Sequence, residues 1–246
     1  MLDQPRIADY AIWLVALALY AGDAARLLTP RQLLLVEAGR GRLAPVFSAE
    51  PFTIAGRSLV FAPLLLPQRG AFVTPWGRPW ADAAALHTAL EGIASLRSTL
   101  RVARGLGAWT FLLLFVAGPL LTLALGTDPA VLCVAALLYP TVLVAIGALW
   151  WRRRAWRLGR GAAALLSVEI LVCPAFLPNL VRKITAAHPI DVDGAQLLVA
   201  TAAADVRQEF LGRLTSRAEV LINEARDDAE TQAALRSYLA VVRAAR

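Results

Sequence analysis

Two uncharged apolar runs, four residues apart, limit this chain more than any other feature. Leu106–Leu125 holds 20 residues without a charge and Ala130–Trp151 holds 22. A helix of about 20 residues, rising 1.5 Å per residue, matches the roughly 30 Å hydrocarbon core of a bilayer. The link, Gly126-Thr127-Asp128-Pro129, has turn chemistry. Together the runs predict a tight antiparallel transmembrane hairpin over 106–151. Pro119 lies inside the first run and is expected to kink it.

Composition agrees with a membrane protein. Hydrophobic residues make up 58% of the chain and charged residues 17%, with a mean hydropathy of +0.58. An ordinary soluble domain carries about 45–50% apolar and about 25% charged residues. A disordered chain and a coiled-coil rod are excluded. The net charge of +7 is uneven: residues 1–160 hold 16 Arg against 8 acids, and residues 161–246 hold 9 basic against 10 acidic residues. A basic chain can bind nucleic acid, but these arginines flank the apolar runs, where the positive-inside rule puts them. No nucleic-acid partner is expected; the lipid bilayer is.

The flanks orient the hairpin. Arg97, Arg101 and Arg104 precede it, and Arg152, Arg153, Arg154, Arg157 and Arg160 follow it. Trp150 and Trp151 close the second run as an interfacial aromatic belt does. Apart from Arg160, which is a flanking charge only, these residues are read as membrane-surface anchors. The tip has Asp128 and no basic residue, so both ends are expected in the cytoplasm.

Two weaker segments follow the same logic. Ile7–Leu28 has an uncharged core only from Tyr10 to Gly22, short for a span. A signal peptide is the alternative, but the leader MLDQPR sets Asp3 beside Arg6, and no small-residue cleavage site follows. Residues 1–29 are therefore read as an uncleaved N-terminal anchor, with the N-terminus outside. Gly161–Pro178 has 18 residues, one charge at Glu169, and Pro174 and Pro178. It is a fourth span or a re-entrant segment, and the side on which the C-terminal tail lies depends on which.

The remaining parts read as water-facing. Between 30 and 79, short apolar runs (Leu33–Glu37, Leu43–Ser48, Phe52–Ala55, Ser58–Leu65, Ala71–Thr74) alternate with Gly39-Arg40-Gly41, Glu50-Pro51, Gly56-Arg57 and Gln68-Arg69-Gly70. That pattern predicts a small antiparallel meander. Residues 80–105 follow as an amphipathic helix with Leu86, Leu90, Ile93, Leu96 and Leu100 on one face, ended by Gly105. In 193–246, Asp193-Gly194-Ala195-Gln196 and Asp227-Asp228-Ala229-Glu230 resemble capping boxes. Between them Val199, Ala203, Val206, Phe210, Leu214, Leu221 and Ala225 form a stripe, so the tail predicts a soluble helical hairpin.

Chemistry is sparse. No phosphate loop, nucleophile elbow or zinc-protease motif occurs. His87 with Glu91 at i+4 is half a metal site, without a third ligand nearby in sequence. The His188–Gly194 stretch lacks the ligand spacing of a calcium loop. Cys133 and Cys173 lie in apolar runs as small hydrophobes. No catalytic residue, metal site or cofactor is expected. Glu169 remains: an intramembrane carboxylate is a candidate for ion or proton handling.

The sequence therefore predicts a mainly α integral membrane protein. It has three to four membrane segments, a small β-rich insertion and a C-terminal helical hairpin, in a bacterial inner membrane. The expected function is non-catalytic, an accessory or scaffold subunit meeting other proteins through the 80–104 and 197–225 helices. A transport component using Glu169 and a lipid-active membrane enzyme are the alternatives.

Overall fold

The computed structural model describes residues 7–39, 41–46, 52–225 and 228–245, and of Ile7, Asp9 and Phe52 the backbone alone. The leader 1–6, Arg40, the Glu50-Pro51 turn, the Phe47–Ser48 end of one expected strand and Asp227 lie outside the described residues. Helix makes up 68% of the structure, beside small sheets. The chain divides into two compact units. One comprises Met1–Arg26, Phe61–Ala71 and Leu96–His188; the other comprises Leu27–Val60, Phe72–Ser95 and Pro189–Arg246.

The first unit is built on the two uncharged runs. They fold as helices of 25 and 26 residues, Arg101–Leu125 and Thr127–Arg152, both long and apolar enough to cross a membrane. Gly126, at φ +86°, makes the reversal in a conformation that L side chains rarely adopt. Gly105 does not stop a helix. The amphipathic helix α2 (Ala83–Thr99) ends at Leu100 instead, and α3 (Arg101–Leu112) runs on through Gly105. A π turn at Leu113–Ala117 precedes α4 (Gly118–Leu125), in which Pro119 is the second residue. A proline cannot donate to the carbonyl four residues back, and its ring crowds that carbonyl. A wider turn relieves both. The second run is the single helix α5 (Thr127–Arg152), with Pro140 inside it.

The other two expected membrane segments are shorter. Helix α1 (Ala11–Asp23) and helix α6 (Arg160–Val172) have 13 residues each, about 20 Å at 1.5 Å per residue. The 161–178 segment breaks at Cys173 into a 3-10 turn, Pro174–Asn179, followed by the short helix α7 (Leu180–Ala186). Among the described residues, two helices have spanning length rather than three or four.

Side-chain contacts set the direction of α1. The Trp13 indole N–H donates to Thr122 Oγ1 at 2.9 Å, and the Tyr20 ring lies 5.6 Å from Phe111 and 5.3 Å from Phe115. Later residues of α1 thus meet earlier residues of α3–α4, so α1 runs antiparallel to them. Trp13, Leu113, Leu114, Val134, Leu138 and Ala175 form the core there.

The second unit holds the strands. The sequence predicts one meander; the structure has two three-stranded sheets. Strands β1 (Ala25–Leu28), β4 (Phe52–Ile54) and β5 (Arg57–Phe61) form one, in the order β1-β5-β4. Strands β2 (Gln32–Glu37), β3 (Leu43–Pro45) and β6 (Ala71–Pro75) form the other, in the order β3-β2-β6. β1 was hidden in the tail of an apolar segment, and strands distant in sequence pair because local turn signals do not fix partners. All of Leu33–Glu37 is buried, as in a strand covered on both faces.

The tail has three helices: α8 (Gly194–Thr201), α9 (Ala204–Glu224) and α10 (Ala229–Ala244). α8 packs on β2 and β3, and α9 on α10. Asp193 caps α8 by accepting from the N–H groups of Ala195 and Gln196, but its capping box is not closed. Gln196 instead accepts from Ala81 N–H at 2.9 Å and donates to Ala81 C=O at 2.7 Å. Phe210, Leu211, Leu214 and Ala218 of α9 are buried, as are Leu235, Tyr238, Leu239 and Val242 of α10.

Candidate functional site

Glu169 is not alone. It lies on α6, three residues before the helix ends, and is followed at Pro174 by the turn that brings α7 back. That return places Lys183 Nζ 2.5 Å from Glu169 Oε2 and 2.7 Å from Asp23 Oδ1. The Lys183 and Asp23 side chains are 8% and 12% exposed, and Glu169 keeps 33%. The partner of Glu169 is the long, flexible Lys183 stem, which reaches it from α7. The Lys183 ammonium also sits 4.8 Å from the Phe176 ring centre, a cation–π position.

A second cation lies beside the first. Arg182 is 2% exposed. It donates to Asn179 Oδ1 at 2.5 Å, to the Tyr20 hydroxyl at 3.3 Å and to the Pro63 carbonyl. Asn179 Nδ2 donates to the Tyr20 carbonyl at 2.9 Å and to Asp23 Oδ2 at 3.0 Å. The Tyr20 hydroxyl donates to the Leu64 carbonyl. Two carboxylates and two cations therefore close one network that ties α1, α6, α7 and the loop at 63–64. Charges in apolar surroundings persist when paired and hydrogen-bonded, and this network meets both conditions. Its chemistry is that of a lock: no acid in it is left without a counter-charge.

The arginine-rich flanks come together at one end of the hairpin. The Trp156 indole, 1% exposed, donates to the Thr99 carbonyl at 3.3 Å, joining the chain before α3 to the chain after α5. The reversal after α5 is tight: Trp156, Arg157 and Leu158 N–H groups donate to the carbonyls of Arg152, Arg154 and Arg153 at 2.8–3.1 Å. Arg101, Arg154, Arg157 and Arg160 are exposed, and Arg97, Arg104, Arg152 and Arg153 are half-buried. Trp150 and Trp151 are 42% and 88% exposed, with the Trp150 indole donating to Ser167 Oγ at 3.1 Å. In the sequence Trp156 stands within the arginine run and Lys183 beside Arg182, but nothing local names a partner for either, or for Asn179 and Tyr20. Only the lone lysine of an arginine-rich chain was a signal.

The second unit has a polar centre of its own at Asp193, 1% exposed. Besides its capping bonds it accepts from Arg78 N–H at 3.2 Å and from the Tyr238 hydroxyl at 3.1 Å. Burial pushes its carboxyl above the ordinary range, against the opposing pull of these four donors. His87 lies 3.5 Å from Glu91 on an exposed helix face. Compared with protein-family models, curated proteins and solved structures, the chain matches none of them.

Proposed function

We propose that this protein is a non-catalytic integral protein of a bacterial inner membrane, serving as an accessory or scaffold subunit of a membrane complex. One observation carries the membrane part. The apolar windows of the two long helices are only 28% buried. Leu112, Leu120, Leu123, Leu132, Leu137, Leu143 and Val144 are each more than half exposed. In water each such side chain would forgo about 1.5–3 kcal/mol of burial; in hydrocarbon it forgoes nothing. A helix in the core of a soluble protein would be covered by its neighbours.

In this reading α1 is a third membrane helix, lying antiparallel to the first span with Ile12, Leu14, Val15, Leu17 and Leu19 outward. The 161–178 segment is re-entrant. Lys183 meets Asp23 and Glu169, and Arg157 lies close enough to His188 to act on its charge, so the chain comes back to the arginine end. The tail then starts in the cytoplasm.

The charge lock supports a structural role over a transport one, because both acids already hold a counter-ion. The apolar stripes of α2 and α9 are buried within the chain at Ile93, Leu96, Phe210 and Leu214, so partners would meet the outward faces of these helices. The transport reading keeps one specific support, the 33% exposure of Glu169. The test is extraction. The protein is expected to stay in membranes through an alkaline wash and to leave with partner proteins in mild detergent. Release by the wash would overturn the membrane reading. A lone chain whose Glu169→Gln variant loses solute movement at unchanged stability would put transport in place of scaffold.

A further inference from the structure

We propose that the arginine end of the hairpin binds the phosphodiester headgroup of an anionic phospholipid. This rests on the membrane reading above and adds a selective ligand to it. Four observations meet at this end. The Trp156–Thr99 bond holds the segment that carries exposed Arg101 to the segment that carries exposed Arg154, Arg157 and Arg160. Arg157 holds a left-handed φ of +54°, a conformation that non-glycine residues rarely adopt, and the reversal there leaves Arg154, Arg157 and, at the start of α6, Arg160 exposed. The sequence has no acid from 92 to 127 or from 129 to 168. Asp23 and Glu169 are held by Lys183, and Asp128 sits at the opposite tip. Lastly Trp151, 88% exposed, marks the level where headgroup gives way to acyl chain.

The cations are arginines throughout. A guanidinium offers parallel N–H donors that match two phosphate oxygens, which a lysine ammonium does not. The same chemistry accepts free phosphate or an RNA backbone. The exposed tryptophan and the apolar belt beside the arginines favour the lipid, because they give the acyl chains of the same molecule a surface to lie on.

The experiment uses the full chain in an uncharged detergent, with retained lipid counted by native mass spectrometry. Wild type is expected to prefer phosphatidylglycerol over phosphatidylcholine. The preference should fall about fivefold per arginine removed, so about a hundredfold in Arg153→Gln/Arg154→Gln/Arg160→Gln. The single variant Arg154→Gln, at an exposed position, gives the fivefold step should the triple variant fail to fold. Arg236→Gln in the tail should leave the preference intact. Equal retention of the two lipids by wild type overturns the proposal and leaves the membrane reading standing; retention of neither overturns both. Displacement of phosphatidylglycerol by millimolar inorganic phosphate, or tighter binding of a short RNA, would replace the lipid with that ligand.

Discussion

Lys183 reaches two carboxylates at once, and its removal tests what the network holds. Lys183→Met leaves Asp23 and Glu169 facing each other in apolar surroundings. Taking one partner from a buried ion pair costs about 3–5 kcal/mol, so the detergent-solubilised variant should unfold far earlier than wild type in a thermal scan. Glu169→Gln should cost under about 1 kcal/mol, because Glu169 is a third exposed and Asp23 keeps the lysine paired. A Lys183→Met protein as stable as wild type would show that the pair is incidental. Two further residues give opposite pH signatures. Burial raises the Asp193 pKa, so the folded state keeps a proton that the unfolded state loses. Its stabilising contribution is complete below the ordinary carboxylate range and is lost as pH rises through the folded value. Burial, and then Arg157, lowers the His188 pKa. Its contribution is present above the ordinary imidazole range and is lost as pH falls through the folded value. Thermal unfolding between about pH 4 and pH 8 should show Asp193→Asn flattening the first slope and His188→Gln the second. Slopes identical to wild type would remove both assignments.

Helix α1 is too short to span by length, and its contacts hold it in place. A Cβ built at Gly118 would lie 2.6 Å from the Trp13 ring. The indole rests directly on the α4 backbone, with its N–H on Thr122. Gly118→Ala should therefore push Trp13 aside and cost about 1–3 kcal/mol, the usual penalty of overpacking. The change reads out as faster proteolysis of the α1 region together with a lowered unfolding temperature. Unchanged values for both would mean that α1 packs elsewhere. The same contact explains why a 13-residue helix can lie beside helices twice its length: its Trp13 and Tyr20 are buried at 6% and 0% exposure, while most of its aliphatic residues face out.

At the scale of the whole chain, orientation is the testable property. Arginines gather at one end of the hairpin and Gly126–Pro129 form the other. In a Cys133→Ala/Cys173→Ala background, Thr127→Cys should react with an impermeant reagent added to spheroplasts, and a cysteine at Arg154 should react only after lysis. The reverse labelling pattern would invert the proposed topology and, with it, the side proposed for the tail.

The sequence determined the hairpin, since charge-free length and a glycine turn are local properties that need no partner. It determined the amphipathic faces for the same reason: Ile93 and Leu96 of α2 and Phe210 and Leu214 of α9 repeat at helical spacing and are buried. It also singled out Glu169 as costly. The tertiary structure decided where each interaction went. Glu169 pairs with a lysine 14 residues on because Pro174 and Pro178 turn the chain back. Gln196 leaves its cap for Ala81, 115 residues away, and β5 pairs with β1 across the strands between them. Tyr20 and Asn179 join because α1 packs against the 3-10 turn at Pro174–Asn179, far from it in sequence. Helical period and hydropathy act over one or two turns of chain, whereas a charge or an amide is satisfied by whatever folding brings within 3 Å, and no local pattern encodes that.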